Sequence, residues 1–237
     1  MSREIGSRER VSREAFLARV RSAAAAGRAH RVHLQTGLPD RVGYCGAGED
    51  PVARLIDEVN AVGGLGRRAA DLAEARDILA NLLALYSPRT ALCWRHPLLE
   101  RLGLGELLAT HQVAALDHES LYPLSPTEQR TKMFAAEIGI SSVSLAIAET
   151  GTLALASRPG QERLASLLPP VHVAIVEASQ IVPDLFDCFD RLEADGLEGL
   201  PSNFVLITGP SKTGDIELTL TTGVHGPGKW HVIVIES

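Results

Sequence analysis

Ser142-Val143-Ser144-Leu145-Ala146-Ile147-Ala148-Glu149-Thr150-Gly151-Thr152-Leu153-Ala154-Leu155-Ala156 and, further on, Val171-His172-Val173-Ala174-Ile175-Val176 decide the fold class. In the first stretch Val143, Leu145 and Ile147 alternate with Ser142, Ser144 and Ala146, the two-residue period of a strand with one small-residue face. The pattern breaks at Glu149–Thr152 and resumes at Leu153, which predicts a tight hairpin with Gly151 relaxing its turn. The second stretch is apolar almost throughout and of strand length, the signature of a strand buried on both faces. Outward from these, Phe204–Thr208 and Trp230–Ile235 read as further strands, with a helix from about Asp184 to Ala194 before them.

Upstream, helices are marked by their caps. Asp50-Pro51 opens one with Val52, Leu55, Ile56 and Val59 on a single face, ended by Gly63-Gly64. Asp71 precedes a second, whose apolar face is Leu72, Ala75, Ile78, Leu79, Leu82 and Leu83, and Glu74 completes a capping box. Ser125-Pro126-Thr127-Glu128 repeats the signature for a helix through about Glu137. Thr90–Trp94 and Gln112–Leu116 are short strand candidates, and Pro97–Leu108 is helical with a break at Gly103 or Gly105. Helices alternating with short apolar strands predict an α/β fold with a mixed sheet. No repeat, low-complexity tract or linker divides the chain. One domain is expected over residues 1–237, with an N-terminal helix (Ser12–Gly27) and loop over 1–40 and an α/β core over 41–237.

The 237 residues are 45% apolar and 22% charged, enough to bury a sizeable core and too apolar for a disordered chain. A net charge of −6 leaves no basic footprint, so no nucleic-acid partner is expected. No apolar run is long enough to span a membrane, and Met1–Arg13 lacks the apolar core of a signal peptide, so a cytoplasmic location is expected. The three cysteines, Cys45, Cys93 and Cys188, are too scattered for a disulfide framework or for cluster ligation. His30, His33, His96, His111 and His118 form no ligand pattern beside an acidic residue, so no metal site is assigned.

Five segments can carry chemistry. In Ile207-Thr208-Gly209-Pro210-Ser211-Lys212-Thr213-Gly214-Asp215-Ile216-Glu217 a strand delivers a Gly-rich turn whose N–H groups can cradle an anion, with Lys212 to neutralise it. A P-loop would need glycine where Ser211 and Leu206 stand, so that motif is absent. A plain strand-to-helix turn capped by Asp215 is the alternative. Gly223-Val224-His225-Gly226-Pro227-Gly228 sets a histidine between flexible turns, able to face a cleft and move a proton or to be an ordinary surface residue. Glu149-Thr150-Gly151-Thr152 places a carboxylate at a strand end, where α/β ligands sit, or simply turns a hairpin. Arg158-Pro159-Gly160-Gln161-Glu162-Arg163 offers two arginines to an anion or to solvent. Ser202-Asn203, at the mouth of a strand after Pro201, is a weaker polar candidate of the same kind.

Taken in order, Gly139-Ile140-Ser141, Ala146-Ile147-Ala148-Glu149-Thr150-Gly151-Thr152, Leu168-Pro169-Pro170-Val171-His172, Gly209–Glu217 and Gly223–Pro227 resemble the lactate-utilization protein C family, whose module is the LUD domain. The likeness is dense from about residue 130 to the end and thinner from about residue 40. It implies a three-layer fold like that of sugar-phosphate isomerases and CoA-transferases, a mostly parallel central sheet flanked by helices. It also implies a part in oxidising L-lactate to pyruvate beside partner proteins that carry iron–sulfur clusters, with no cofactor held by this chain. On the matching motifs, Glu149, Asp215 and His225 are the expected catalytic residues. Thr150, Gly151, Thr152, Ser202, Asn203, Gly209, Pro210, Ser211, Lys212, Thr213 and Gly226 are the expected binding residues for a small carboxylate. The family pattern carries an Asp where this chain has Ser144, which removes a possible second carboxylate, and an Ala where it has Gly214. A free-standing enzyme on the same fold (a sugar-phosphate isomerase, a CoA-transferase or a 5-formyltetrahydrofolate cyclo-ligase) is the alternative reading.

Overall fold

Each of the capped helices forms where its signals stand. The computed structural model describes residues 12–28, 45–194, 199, 201–214 and 220–236. The chain divides into two compact units, Met1–Val42 and Gly43–Ser237. In the first, α1 (Arg13–Arg28) is a single helix.

In the second, α2 (Pro51–Ala61) is capped by the Asp50 side chain, which accepts from the Ala53 N–H. Strand β1 (Leu65–Ala69) follows, then α3 (Leu72–Tyr86), with Asp71 accepting from the Glu74 N–H. Strand β2 (Thr90–Cys93) leads through α4 (Pro97–Arg101) and α5 (Leu104–Thr110) to β3 (Ala114–Leu116). Helices α6 (His118–Leu121) and α7 (Pro126–Phe134) precede β4 (Ile138–Ser141), and Ser125 with Glu128 closes a full capping box on α7. The chain then makes β5 (Leu145–Ile147), β6 (Thr152–Ser157), β7 (Val171–Glu177), β8 (Ile181–Val182), α8 (Leu185–Ala194), β9 (Asn203–Ile207), β10 (Lys212–Gly214), β11 (Leu220–Thr222) and β12 (Lys229–Ile235).

Six of these strands form one sheet in the order β1-β12-β7-β4-β2-β3, every pairing parallel. The sheet is therefore not mixed. The predicted hairpin, β5–β6, leaves it and builds a second sheet, β8-β5-β6-β9. The departure occurs at Ser142–Ser144, where the Ser144 hydroxyl accepts the Ala156 N–H and ties the start of β5 to the end of β6.

Residues paired across parallel strands share a face. Gly139, His172 and Trp230 stand side by side on one face, and Ile140, Val173, His231 and Leu65 on the other. The first face meets α2 and the 3-10 turn Arg163–Ser166, and the second meets α3, where Tyr86 shares a hydrogen bond with His231 Nε2 at 2.8 Å. The core between these layers is built from Leu, Val, Ile and Ala, with Trp230 2% exposed.

The strand order fixes where a ligand site can open. From β2 the chain runs outward to β3, whereas from β4 it returns inward to β7, so the connections diverge between adjacent strands β2 and β4. Crevices at the carboxyl ends of strands flanking such a point are where open α/β sheets bind ligands. The loop 157–162 lies over this point, because the Arg95 N–H after β2 donates to Gly160 O at 2.7 Å and Trp94 Nε1 donates to Glu162 O at 2.9 Å.

Candidate functional site

The sequence-derived candidates gather in two separate places. Glu149 sits in the 3-10 turn Ala148–Thr150, and its carboxylate accepts the Cys45 N–H at 2.6 Å. Thr150, Thr152 and Thr208 form a chain of hydroxyls, 2.7 Å apart at each link. Gly151 has φ +62°, and a Cβ there would stand 2.5 Å from the Val59 nitrogen, so only glycine lets this turn lie against α2. Lys212 Nζ donates to Val62 O at 2.6 Å, just past the end of α2, and so binds a carbonyl that the helix leaves unpaired.

The Gly-rich turns do come together. Ser211 N–H donates to Pro227 O and Gly223 N–H to Ser211 O, both at 2.9 Å, and Ser211 packs against Gly226. Thr213 pairs with Thr221 across the antiparallel strands β10 and β11. Pro210 and Gly209 flank the same turn, and His225 is exposed. Asp215 lies outside the described residues. These turns immediately precede β12, which puts them at the amino edge of the parallel sheet, opposite the crevice that the topology favours.

Ser202 and Asn203 stand elsewhere. Asn203 pairs with Ser157 across β9 and β6, and the Ser202 hydroxyl donates to Ser157 O at 3.3 Å. From Thr152 to Ser157 the strand spans about 17 Å, so this group is remote from the threonine chain. Here the structure opens a cavity of about 680 Å³ lined by Ser157, Arg158, Pro159, Glu162, Arg163, Leu164 and Pro201–Asn203. It adjoins the divergence point through the loop 157–162.

The lining suits an anion. Arg158 and Arg163 bring guanidinium groups from either end of one loop, the residue type that binds carboxylates in bidentate fashion. Arg158 also donates to Gly199 O at 3.3 Å, which braces its side chain. Asn203 Oδ1 is buried with no hydrogen-bond partner among the described residues.

A smaller cavity of about 230 Å³ shares Glu162 and Leu164 with the first and adds His118, Leu121, Tyr122, Gln129 and Met133. His118 follows β3 by two residues, and its Nδ1 lies 2.8 Å from Glu162 Oε1. Next to it Asp117 caps α6. Burial works against ionising Asp117, but the Ser120 N–H and hydroxyl, with the Arg95 charge, hold its carboxyl below the ordinary value. Burial pushes the Cys93 thiol up to about 12, which disfavours its thiolate. Sequence reading missed His118 and Glu162 as a pair. The available signal was position: Asp117-His118 directly follows a predicted strand, and Glu162 lies within the arginine-bearing loop.

The sequence model of the LUD domain family matches residues 52–235. Lactate utilization protein C of Halalkalibacterium halodurans is 37% identical over 159 residues, 66% of either chain. The protein of the same name from Geobacillus kaustophilus is 34% identical over 170 residues, 69% of either chain. The chain thus spans about two thirds of the length of these relatives. An uncharacterized protein of Neisseria meningitidis serogroup B is 36% identical over 52% of this chain and 54% of its own. Among solved structures, a DUF162 family protein from Deinococcus radiodurans superposes with a TM-score of 0.55 at 24% identity, covering 78% of this chain and 95% of that one. That likeness is one of fold.

Proposed function

Because the chain belongs to the LUD domain family, we propose that it serves lactate utilization, as a subunit that holds a small carboxylate for oxidation by partner proteins carrying iron–sulfur clusters. The observation that carries this reading is the cavity at the carboxyl edge, where Arg158 and Arg163 face the same space as Ser202 and Asn203. The guanidinium groups take the carboxylate, and the Ser202 hydroxyl and Asn203 amide complete the polar wall. In this reading Glu149 and Lys212 serve the fold: the carboxylate fastens the Cys45 main chain, and the ammonium holds the end of α2.

Replacing Arg158 and Arg163 together by Gln tests the assignment. Charge-assisted hydrogen bonds contribute about 1.5–3 kcal/mol each, so L-lactate binding measured by calorimetry should weaken at least about 100-fold in the double variant. Glu149→Gln should leave it within about threefold, since that side chain lies in the other cluster. Equal affinity in the double variant and the wild type would place the carboxylate elsewhere.

A further inference from the structure

We infer that His118, oriented by Glu162, accepts the hydroxyl of the bound acid and so makes the site selective for 2-hydroxy acids over their oxo and deoxy counterparts. This rests on the carboxylate reading above and adds a second polar anchor to it.

A carboxylate has no proton to give, so at 2.8 Å Glu162 Oε1 must be the acceptor and His118 Nδ1 the donor. That fixes the tautomer of the neutral ring: Nδ1 carries the hydrogen, and Nε2 presents a lone pair. Glu162 is itself held, since its Oε1 also accepts the Gly160 N–H at 3.2 Å and its carbonyl accepts from Trp94. The Tyr122 ring lies 5.6 Å from the imidazole, centroid to centroid, and limits its swing. The result is an imidazole fixed in rotation and tautomer, with a hydrogen-bond acceptor left over. It is 43% exposed, open to a ligand rather than sealed in the core.

Position supplies the rest. Glu162 and Leu164 line both cavities, and Arg163 lies between them in sequence. Arg163 lines the larger cavity and His118 the smaller, so in this inference the acid lies across the shared wall, its carboxylate on Arg163 and its hydroxyl toward the His118–Glu162 pair. A hydroxyl next to the carboxylate carbon can donate to Nε2. An oxo group cannot donate, and a methylene leaves the acceptor facing nothing. Leu121, Met133 and Leu164 form an apolar floor suited to the short alkyl end of such an acid.

The test compares three probes, L-lactate, pyruvate and propionate, on the intact chain by calorimetry. The wild type should bind L-lactate at least about tenfold more tightly than either of the others, the factor that corresponds to about 1.4 kcal/mol. His118→Phe should erase that preference while keeping propionate affinity, because the carboxylate anchors are untouched. Glu162→Gln, whose amide oxygen still accepts from Nδ1, should retain most of the preference, whereas Glu162→Ala should lose it. Equal binding of all three acids to the wild type would overturn the hydroxyl role alone. Binding of none of them would overturn the carboxylate site beneath it.

Discussion

Among the described glycines, Gly139→Ala will be the most destabilising replacement by alanine. A Cβ at Gly139 would stand 1.7 Å from Ala165 O and 2.9 Å from the Ala165 carbonyl carbon, both main-chain atoms that no rotamer change can move. Gly139 lies in the middle of β4, paired with Leu92 on one side and His172 on the other, so the strand cannot retreat either. The cost should reach or exceed the upper end of ordinary overpacking, about 3 kcal/mol, which lowers the thermal midpoint of a chain of this size by roughly 6–12 °C. Any relaxation must push out the turn Arg163–Ser166, which carries Arg163 and adjoins Glu162, so ligand affinity should fall with stability. Gly105→Ala is the control. Nothing lies within 4 Å of its added methyl, and in a helix the change should be neutral or gain up to about 1 kcal/mol. Thermal unfolding of both variants decides the point, and a Gly139→Ala midpoint within about 2 °C of wild type would contradict the packing described.

Acid should unfold the protein earlier than its carboxylates alone would. His172 is fully enclosed, and burial, helped by the neighbouring His231, lowers its pKa to about 3. Burial, with Arg67 and Lys229 nearby, lowers that of His231 to about 4. The unfolded chain protonates both near 6.5, so below that pH the unfolded state binds more protons and stability must fall as the pH falls. Each ring's slope approaches about 1.4 kcal/mol per pH unit as the unfolded histidine becomes fully protonated, so the pair should cost about 3 kcal/mol between pH 6.5 and 5. Asp50 and Glu128 are held low mainly by hydrogen bonds, to the Ala53 N–H and to the Ser125 hydroxyl respectively. Their stabilising effect is lost only as they protonate, further into acid. Denaturant melts at pH 7.5, 6 and 5 measure the slope. The doubly substituted His172→Gln, His231→Gln protein should start less stable at pH 7.5 and then stay nearly flat to pH 5. A wild type equally stable at pH 7.5 and 5 would mean that these rings are not held neutral.

What the sequence displays best is local chemistry. Asp50-Pro51, Asp71 with Glu74, and Ser125 with Glu128 each name a helix start, because a cap and its partner lie within four residues. Val171–Val176 declares a buried strand by composition alone. Leu65–Ala69 escapes notice because Arg67 and Arg68 break its pattern: β1 is an edge strand that β12 recruits from the far end of the chain. The hairpin β5–β6 was legible, but its allegiance to a second sheet was not, since that follows from pairing with β9 some fifty residues later. The site has the same limit. Arg158, Arg163, Ser202 and Asn203 are each visible as polar residues in loops, and only the Ser157–Asn203 pairing makes them one cavity. His118 and Glu162, 44 residues apart, meet because the loop over β2 and β4 brings them to adjoining strand ends.

On the proposed function, lactate use depends on an acid held in the carboxyl-edge cavity. The most direct measurement is growth on L-lactate as sole carbon source of a strain lacking this gene, complemented with wild type or with the Arg158→Gln, Arg163→Gln protein at matched, folded levels. The expected result is no growth without the gene, full rescue by wild type and none by the double variant. Growth of the deleted strain, or full rescue by the double variant, would contradict it.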